Sequence, residues 1–503
     1  MKLQSLLNSI VEYEDDIDGA VIGLASLSDG LKNIDVDSVV NDHNLVNESS
    51  IFVAIRGTSI DSHAYIPDAR QRHCAFVVAQ RGSKTEMEPD MTVGSTRAIV
   101  GPLQSALLGM PSNKMNLAGI TGTNGKTSVS YLFSSLVQSC NENCFTMGTT
   151  GILVNGEKET DSQTTPDPLI IQDYLLRFLQ DQVKYGAIEV SSHALDQYRV
   201  LGTKFKAVAF TNFSQDHLDY HSSMEEYFLA KSKLFSKKYS NNAVINIDDE
   251  KGSEILSIAT KNLLNTLSVS CKDLNADIFV KIKNESLDGT DIEIFFNQTQ
   301  DSFDIFTPFI GRFNIENIAV AIGLAEFCNL DRDKYIAALS NPIPVPGRLQ
   351  KAESKNLGFH CFIDYAHTPD ALERVINTIK PLSKKVIVVF GCGGDRDKNK
   401  RPIMGKIASS MADEVIVTND NPRSENGKDI AEQIISGVTK NVQVCLDRKQ
   451  AIKTALSLAQ KGDAVIIAGK GHERGQIFSD KTVDFSDIET TDELIEEMIN
   501  NDI

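Results

Sequence analysis

The sequence has no apolar run long enough to cross a membrane, and its start, MKLQSLLNSIVEYEDD, has no basic lead before an apolar core. These absences argue against a membrane span and against a secretory signal. Positive charge is also scarce, with 50 Lys and Arg against 68 Asp and Glu and a formal net charge of -18. That charge repels nucleic acid and anionic membranes. We therefore expect a cytoplasmic protein that binds neither, and we expect a monomer.

Cysteine is sparse as well, and internal repeats and low-complexity tracts are absent. Eight cysteines are scattered along the chain, mostly in apolar contexts such as CAFVVA and FHCFIDY. Cys140 and Cys144 are close in sequence, but no second pair follows to complete a zinc site. The pattern predicts reduced core thiols.

The chain of 503 residues is too long for one hydrophobic core. Strand-like and helix-like segments alternate, which predicts an α/β fold with largely parallel sheets. A polar stretch at 82–95 and the proline-rich NPIPVPG at 341–347 suggest boundaries between three domains. We predict a small N-terminal α/β domain over 1–95, a central P-loop-type ATPase domain with a mainly parallel sheet over 96–343, and a C-terminal Rossmann-like domain over 344–503.

Beyond the second boundary, four strand candidates alternate with helical stretches: FHCFID, KVIVVFG, EVIVTN and AVIIAG. Each candidate ends in a polar cluster, and the clusters span 364–367, 391–397, 419–423 and 469–473. Since the carboxyl ends of parallel strands share one edge, where ligands bind, these clusters should meet in space.

The segment TGTNGKT at 121–127 follows an apolar strand candidate and precedes a helix that should open at Lys126 or Thr127. Its glycines, Gly122 and Gly125, would let backbone amides face phosphate oxygens, while Lys126 reaches the terminal phosphates and Thr127 joins a magnesium shell. The alternative is a plain glycine-rich turn. The standard phosphate-loop spacing is not met, because Ile120 stands where its first glycine belongs.

Two further polar segments follow strand candidates in the central region. EVSSHALDQYRV supplies Glu189 and His193, and TNFSQDHLDYH supplies Asp216, His217, Asp219 and His221. Carboxylates and imidazoles beside a phosphate loop suit a divalent cation that bridges protein and nucleotide. The alternative for Glu189 and His193 is a capped turn.

The form G-x-T-G-T-N-G-K-T resembles the ATP loop of the Mur ligases and of their folylpolyglutamate synthase relatives, and Thr127 and Ser128 favour the Mur side. The resemblance implies an ADP-forming amide ligase that uses ATP and Mg2+ and passes through an acyl phosphate. It implies a catalytic and metal-binding set of Lys126, Thr127, Glu189, His217 and Lys231. Taken alone, Lys231 is typical of a solvated helix lysine, and the resemblance alone implies that it becomes a carbamate.

TTP at 164–166, SSHALDQYR and DNPRSE resemble the Mur ligases that add meso-diaminopimelate to UDP-N-acetylmuramoyl-L-alanyl-D-glutamate in peptidoglycan precursor synthesis. Those that add L-lysine generally lack the arginine of DNPR. A guanidinium can grip the second carboxylate of diaminopimelate, which lysine lacks, with two parallel hydrogen bonds. The resemblance therefore predicts meso-diaminopimelate as the amine.

The resemblance implies three sets of binding residues. Expected at ATP are Gly122, Thr123, Asn124, Gly125, Lys126, Thr127, Ser128, Asn314, Asn317, Arg348 and Asp364. Expected at diaminopimelate are Arg396, Asp420, Asn421, Pro422, Arg423, Gly469 and Glu473. Expected at the muramoyl-dipeptide substrate are Thr58, Ser59, Ile60, Gln163, Thr164, Thr165, Ser191, Gln197 and Arg199.

Two positions depart from the family pattern. Gln163 stands where asparagine is usual, and Asp42-His43-Asn44 replaces the Asp-Ser-Arg uridine motif, so the arginine expected near the diphosphate is missing. The alternatives to the predicted function are an L-lysine-adding Mur ligase, a folylpolyglutamate synthase-like ligase and, more remotely, a non-catalytic ATP-binding regulator.

Overall fold

A computed structural model of the chain describes residues 1–57, 60–217, 220–352, 354 and 357–501. The chain forms two compact units. The first unit comprises Met1–Val280, Ile294–Ser302 and Glu316–Ala338, and the second comprises Lys281–Glu293, Phe303–Ile315 and Leu339–Ile503. The predicted domain boundaries at 95/96 and 343/344 stay predictions.

The strands of the described residues are β1 Ser38–Val40, β2 Ser50–Val53, β3 Phe76–Gln80, β4 Met91–Val93, β5 Asn116–Thr121, β6 Cys144–Gly148, β7 Gly151–Val154, β8 Glu157–Thr160, β9 Tyr185–Glu189, β10 Ala207–Phe210, β11 Asn242–Asn246, β12 Asn265–Ser270, β13 Ile278–Ser286, β14 Gly289–Phe296, β15 Asp301–Thr307, β16 Gln350–Lys351, β17 His360–Asp364, β18 Val386–Phe390, β19 Glu414–Val417, β20 Gln443–Val444, β21 Ala464–Ala468, β22 Gln476–Ile477 and β23 Thr482–Val483.

The helices of the same residues are α1 Leu3–Ser9, α2 Glu14–Ile17, α3 Ala20–Ser26, α4 Asp29–Lys32, α5 Ile66–Gln71, α6 Thr96–Leu107, α7 Lys126–Ser139, α8 Pro168–Gln180, α9 Ser192–Asp196, α10 Met224–Ser232, α11 Gly252–Lys261, α12 Arg312–Phe327, α13 Arg332–Ala338, α14 Pro369–Ile379, α15 Lys400–Met411, α16 Gly427–Ile435, α17 Arg448–Leu458 and α18 Asp487–Asn501. None of them combines the length and apolar character that a membrane crossing requires.

The first sheet of the described chain has the order β1-β2-β3-β4, and all of its pairings are parallel. The predicted strands IFVAIRG and CAFVVAQ form β2 and β3. The polar stretch at 82–95 differs from expectation, because it contains β4 as well as loop. Met91 and Val93 are buried on that strand while Thr92 is exposed, which is the alternation of a half-buried strand.

The largest sheet of the described residues has the order β15-β14-β13-β12-β11-β10-β5-β9-β6-β7-β8. Its central strands pair in parallel, and β5 lies between β9 and β10. The loops after β5, β9 and β10 therefore lie at one sheet edge. The strands β7 and β8 add antiparallel pairs to β6, and the alternation of strands and helices did not predict them.

The third sheet has the order β16-β17-β21-β18-β19-β20 within the described chain, and only β16 pairs antiparallel. Its four predicted strands are β17, β18, β19 and β21, with apolar clusters on both faces. The α/β prediction with largely parallel sheets is confirmed. All eight cysteines are free, as predicted, and five of them are buried.

A buried ion pair joins the last helix to the carboxyl edge of this third sheet. Arg448 donates from Nε and Nη2 to the two carboxylate oxygens of Asp487, at 2.7 and 2.6 Å, and both side chains are 0% exposed. The same guanidinium donates to the carbonyl oxygens of Asn419 and Ala468, at 3.2 and 3.0 Å. Arg448 thus fixes the ends of β19 and β21 relative to α18.

Replacement of Asp487 by alanine should lower the free energy of unfolding by about 3–5 kcal/mol, because it leaves a buried guanidinium without its counter-charge. Glu493→Ala, on the same helix as Asp487, removes an exposed carboxylate that pairs with Lys449 of α17 and should cost less than about 1 kcal/mol. Urea denaturation followed by circular dichroism measures both. Equal losses for the two variants would contradict this account of the buried pair.

Candidate active site

The predicted phosphate loop joins β5 to α7, and two of its glycines have positive φ, Gly122 at 149° and Gly125 at 87°. A Cβ at Gly122 would collide with the Thr211 hydroxyl, and one at Gly125 would collide with the Asn317 amide oxygen. The loop therefore requires glycine for both its conformation and its space. The helix begins at Lys126, so its N-terminal amides follow the loop directly, as an anion site requires.

Two lysines of the first unit donate to the same carbonyl oxygen. Lys126 Nζ lies 2.9 Å from the Gly122 oxygen and also donates to the Thr123 oxygen at 2.8 Å. Lys231 Nζ lies 2.8 Å from the Gly122 oxygen. The side-chain nitrogens of these two lysines, which were predicted from separate motifs, therefore meet at the phosphate loop.

Lys231 is 1% exposed, which corrects the expectation of a solvated helix lysine. Burial, and then repulsion by Lys126, lower the pKa of Lys231 well below its ordinary value, while Asp216 opposes the shift. Its Nζ also lies 4.5 Å from the centre of the Tyr227 ring. A lowered pKa favours the neutral, nucleophilic form of the lysine amine.

Glu189 lies at the end of β9, and its side chain is 1% exposed. Its carboxylate accepts from the Thr149 amide at 3.1 Å and from the Thr149 hydroxyl at 3.2 Å. A Cβ at Gly148 would collide with the same carboxylate, so glycine gives it room. Sequence reasoning missed Thr149, whose hydroxyl also lies 3.2 Å from the Thr164 hydroxyl.

One hydrogen-bond network joins five of the residues predicted to hold the muramoyl-dipeptide, namely Gln163, Thr165, Ser191, Gln197 and Arg199. Arg199 donates to the Thr165 carbonyl at 2.8 Å, to the Gln197 amide oxygen at 2.9 Å and to the amide oxygen of Gln163. The Thr165 hydroxyl donates to the Glu189 carbonyl at 2.7 Å and to Ser191 at 3.3 Å. Gln163, the departure from the family pattern, is thus part of this network.

Burial lowers the pKa of Arg199, and Arg97 contributes in the same direction while Asp167 opposes it. Arg97 also donates to the Arg56 carbonyl at 2.9 Å. Sequence reasoning missed Arg97, which lies at the second position of α6 in an otherwise apolar stretch. Its position adds a cation beside the expected site for an anionic substrate.

His217 has a positive φ of 53° and a side chain that is 40% exposed. Its ring packs edge-on against His193, with centroids 4.9 Å apart. His221 is buried, and its Nε2 lies 3.0 Å from the Ser192 hydroxyl. Asp219 lies outside the described residues.

The two asparagines of α12 are both buried, with 3% of Asn314 and 5% of Asn317 exposed. Asn314 donates to the Ile310 carbonyl at 2.8 Å, one turn back along the chain. Asn317 packs against Gly125 of the phosphate loop. The expected contact of either residue with adenine stays a prediction.

Thr58 and Ser59, expected at the uridine, lie outside the described residues, and Ile60 is 62% exposed. In the replaced uridine motif, Asp42 accepts from the Asn44 amide at 2.9 Å and so begins a short 3-10 helix. His43 stacks on Tyr65 with ring centroids 4.2 Å apart.

The polar clusters of the third sheet meet at its carboxyl edge. Asn421 donates to Glu473 Oε2 at 2.9 Å, and its own amide oxygen accepts from Lys470 Nζ at 3.0 Å. Gly469, with φ 115°, brings the backbone close to Asp420, since a Cβ there would lie 2.7 Å from its carboxylate. Sequence reasoning missed Lys470, although it lies inside the AGKGHE segment that supplied two predicted residues.

Arg423 has a positive φ of 53°, and its amide donates to the Ile477 carbonyl at 2.9 Å. Its Nη1 donates to the Gly394 carbonyl at 2.9 Å, whereas Nε and Nη2 make no hydrogen bond to the described residues. One nitrogen of the guanidinium is therefore held by the protein, and the other two are open to a ligand. Arg396, on the neighbouring loop, donates to the Asp395 carbonyl at 3.2 Å.

Arg348 lies over the Tyr365 ring, 4.9 Å from its centre. Asp364 accepts from the Leu349 amide at 2.7 Å and from the Ala366 amide at 2.9 Å. Burial raises the pKa of Asp364, and Arg348 opposes that shift. Asp364 thus holds the turn next to Arg348, and the predicted contact of both with ATP stays a prediction.

A magnesium ion would fit oxygen donors at the first site. Thr127 and Glu189 are buried oxygen donors, at 4% and 1% exposed, and Mg2+ prefers such ligands. Among the described residues, no three His, Cys, Asp or Glu side chains form a group that could hold a metal. Further oxygen atoms, from a modified Lys231 or from a nucleotide, would therefore be needed.

A glycine-rich loop that joins a parallel strand to a helix beginning with lysine and threonine is the arrangement of a nucleotide phosphate site. The chain therefore falls in the class of P-loop-type, nucleotide-dependent enzymes. A family model described as "Mur ligase middle domain" matches residues 120–325, and one described as "Mur ligase, glutamate ligase domain" matches residues 347–471. The chain belongs to the Mur ligase family.

Among its relatives, a protein of Caldanaerobacter subterraneus subsp. tengcongensis is 38% identical over 93% of this chain and 96% of its own length. One of Aquifex aeolicus is 39% identical over 90% of this chain and 92% of its own length. Both are named UDP-N-acetylmuramoyl-L-alanyl-D-glutamate--2,6-diaminopimelate ligase.

A solved structure of an enzyme with the same name superposes with a TM-score of 0.72 at 31% identity and covers 92% of this chain and 95% of that chain. A folylpolyglutamate synthase of Mycobacterium tuberculosis superposes with a TM-score of 0.59 at 19% identity, over 74% of this chain and 92% of that one, and shows a shared fold.

Lys231→Met should stabilise the protein near pH 7 in CO2-free buffer. The folded-state pKa of Lys231 lies below the unfolded value, so the unfolded chain binds more protons and the wild type loses stability as pH falls. The advantage of the variant should therefore shrink as pH approaches the ordinary lysine pKa of about 10.4.

Urea denaturation of both proteins across this pH range measures the effect. Lys237→Met, which removes an exposed lysine nearby, should show no such pH-dependent difference from the wild type. A stability difference for Lys231→Met that stays constant with pH would contradict the lowered pKa.

Proposed function

We propose that this chain is an ATP-dependent, ADP-forming ligase that adds meso-diaminopimelate to the D-glutamate γ-carboxylate of UDP-N-acetylmuramoyl-L-alanyl-D-glutamate, a step of peptidoglycan precursor synthesis. The names of relatives 38% and 39% identical over most of their length support it. The observation that carries the choice of amine is Arg423, whose guanidinium is open at Nε and Nη2. We also propose that the protein acts in the cytoplasm, where its substrate ATP is available. We propose a monomer, because one chain supplies every proposed contact.

The phosphate loop and the network around Arg199 would hold the two substrates of the first step. The loop amides and Lys126 neutralise the phosphates of ATP. Arg199 offers a half-buried cation to the carboxylates of the muramoyl-dipeptide, and Thr165 and Ser191 add hydroxyl groups. Thr149 contacts both Glu189 and Thr164, and it would thereby hold the residues proposed to bind magnesium and the muramoyl-dipeptide at a fixed distance from each other.

The reaction requires two bond exchanges. A γ-carboxylate oxygen attacks the γ-phosphorus of ATP, the bond from that phosphorus to the bridging oxygen breaks, and ADP leaves with the electron pair. The amine of diaminopimelate then attacks the carbonyl carbon of the acyl phosphate. The C–O bond to phosphate breaks, and the amine loses a proton. Positioning and charge neutralisation supply most of the rate gain in such transfers.

Thr127, Glu189, His217 and the carbamate of Lys231 would hold Mg2+. When bound, the ion neutralises charge on the transferring phosphoryl group. The carbamate forms when the neutral Lys231 amine adds to the carbon of CO2 and releases one proton. The burial and lowered pKa of Lys231 support this step, since a protonated amine has no electron pair to offer.

Recognition of diaminopimelate needs partners for a distal carboxylate and a distal ammonium. Arg423 offers two guanidinium nitrogens to the carboxylate, and a bidentate pair is stronger and more directional than a single ammonium contact. Glu473 offers a carboxylate to the distal ammonium and is held by Asn421 at 2.9 Å. L-lysine has no distal carboxylate, so it leaves the guanidinium unpaired.

The purified protein should release phosphate only when ATP, the muramoyl-dipeptide nucleotide and meso-diaminopimelate are all present. Arg423→Lys should lower kcat/KM for meso-diaminopimelate by about a hundredfold, because it replaces a bidentate contact worth about 1.5–3 kcal/mol by a single one. A phosphate-release assay with a panel of amino acids measures both.

Lys398→Met is a matched control, because it removes an exposed charge that pairs with Glu425 near the same loops. It should leave the preference for the amine unchanged. Equal turnover of L-lysine and meso-diaminopimelate by the wild type would overturn the choice of amine. Nucleotide binding without phosphate release in any mixture would favour a non-catalytic regulator.

Lys231 should carry a carbamate when the protein is equilibrated with CO2. Protein incubated with 13C-bicarbonate should show one carbamate carbon signal by NMR, and Lys231→Met should lack it. The variant should also lose phosphate release, because an oxygen ligand of the metal is missing. A signal retained in the variant would place the modification elsewhere.

A further inference from the structure

Lys470 lies two residues after the end of β21 and is 0% exposed, although it lies among the residues proposed to receive the amine. Its Nζ donates to the Asn421 amide oxygen at 3.0 Å and to Glu473 Oε2 at 3.4 Å. A buried ammonium costs several kcal/mol unless oxygen atoms replace its water. These two contacts provide that replacement, so Lys470 is held next to Glu473.

Glu473 is consequently shared between three side chains. Its Oε2 accepts from Asn421 at 2.9 Å and from Lys470, and its Oε1 accepts from Tyr365 at 3.5 Å. A substrate ammonium at this carboxylate would therefore meet a resident ammonium on the same group. Two cations on one carboxylate repel each other.

The formal charges of the side chains at this edge add to the repulsion of a second ammonium. Arg396, Asp420, Arg423 and Glu473 carry two positive and two negative charges, and Lys470 adds a positive one. Two further cations beside this edge are ion-paired, Arg401 with Glu425 and Arg448 with Asp487. The five side chains themselves carry one excess positive charge.

We propose that Lys470 is a positioning residue that determines amine specificity, because it fixes Glu473 and adds a positive charge whose repulsion of a distal ammonium only a distal carboxylate on the same amine can offset. The proposal rests on the proposed function. A zwitterionic distal centre brings its own carboxylate to Arg423, whereas the L-lysine side chain brings only a second cation. Rejection of L-lysine then has two sources, the open guanidinium of Arg423 and the charge of Lys470.

The test compares kcat and KM for meso-diaminopimelate and L-lysine in the full-length wild type, Lys470→Met, Lys470→Arg and Lys449→Met. Lys470→Met should reduce the ratio of kcat/KM values, meso-diaminopimelate over L-lysine, by about tenfold, since removal of one nearby charge relieves the repulsion. Most of the change should appear in KM for L-lysine. Lys470→Arg, which keeps the charge, should restore most of the ratio.

Lys449 is the matched control, since it is a half-exposed lysine of the same unit that pairs with Glu493. Its replacement by methionine should leave the ratio unchanged. Equal turnover of both amines by the wild type would refute the proposed function itself. A discriminating wild type with an unchanged ratio in Lys470→Met, whatever its overall rate, would overturn the role of Lys470.

A second measurement needs no variant and so does not depend on whether Lys470→Met folds. The wild type is assayed with L-2-aminopimelate, which has the distal carboxylate but not the distal ammonium. An edge with excess positive charge should accept it at a lower KM than L-lysine. The reverse order would overturn the charge argument.

Discussion

Parallel pairing of the strands is the constraint on which the placement of the predicted residues depends. In each large sheet, the carboxyl ends of neighbouring strands lie at one edge, so loops that are far apart in sequence become neighbours. The loops after β5 and β10 thereby bring Gly122 against Thr211, and Glu189 ends β9 at the same edge. In the third sheet, the pairing of β18 with β19 and β21 does the same for Gly391, Asn419 and Gly469.

Buried charge is the second constraint, because the same edges collect ionisable groups away from water. An ion without a partner costs several kcal/mol in such a position, so each buried charge has a fixed set of contacts. Arg448 holds strand ends through Asp487 and two carbonyl oxygens. Asp364 similarly holds the turn at Leu349 through a backbone amide. Such contacts stabilise the sheet edges that carry the side chains proposed to bind the substrates.

Much of the fold was predictable from the sequence, because fully buried parallel strands read as short apolar runs bounded by polar loops. IFVAIRG, MNLAGIT, KVIVVFG and AVIIAG each became a strand. The antiparallel β7 and β8 were not predicted, since β8, EKET, is exposed at every position and carries no apolar alternation. β4 was not predicted either, because it has only three residues and lies inside a polar stretch.

The candidate residues were predictable where a motif has a distinctive spacing, and less so where a single side chain acts through its surroundings. Thr149, Arg97 and Lys470 were missed because threonine, arginine and lysine are common on surfaces and nothing local distinguishes them. Lys470 did lie between two predicted residues, Gly469 and Glu473, so the signal that could have found it was proximity to a motif. Its burial depends on the fold around it, which periodicity does not report.

The two buried lysines show how contacts, and not residue type, decide what a desolvated amine can do. Lys231 has a carbonyl oxygen and an aromatic face beside it, and a second lysine repels it. Neither contact brings a full negative charge, and the neutral amine is favoured, which is the form that reacts as a nucleophile. Lys470 instead has a carboxylate and an amide oxygen within hydrogen-bond distance. An ammonium and a carboxylate at this distance attract each other, so the same side chain acts there through its charge. The phosphate-loop site and the amine site thus each contain one buried lysine. The lysine without a carboxylate beside it is suited to covalent modification, and the lysine with one is suited to selecting a ligand by charge.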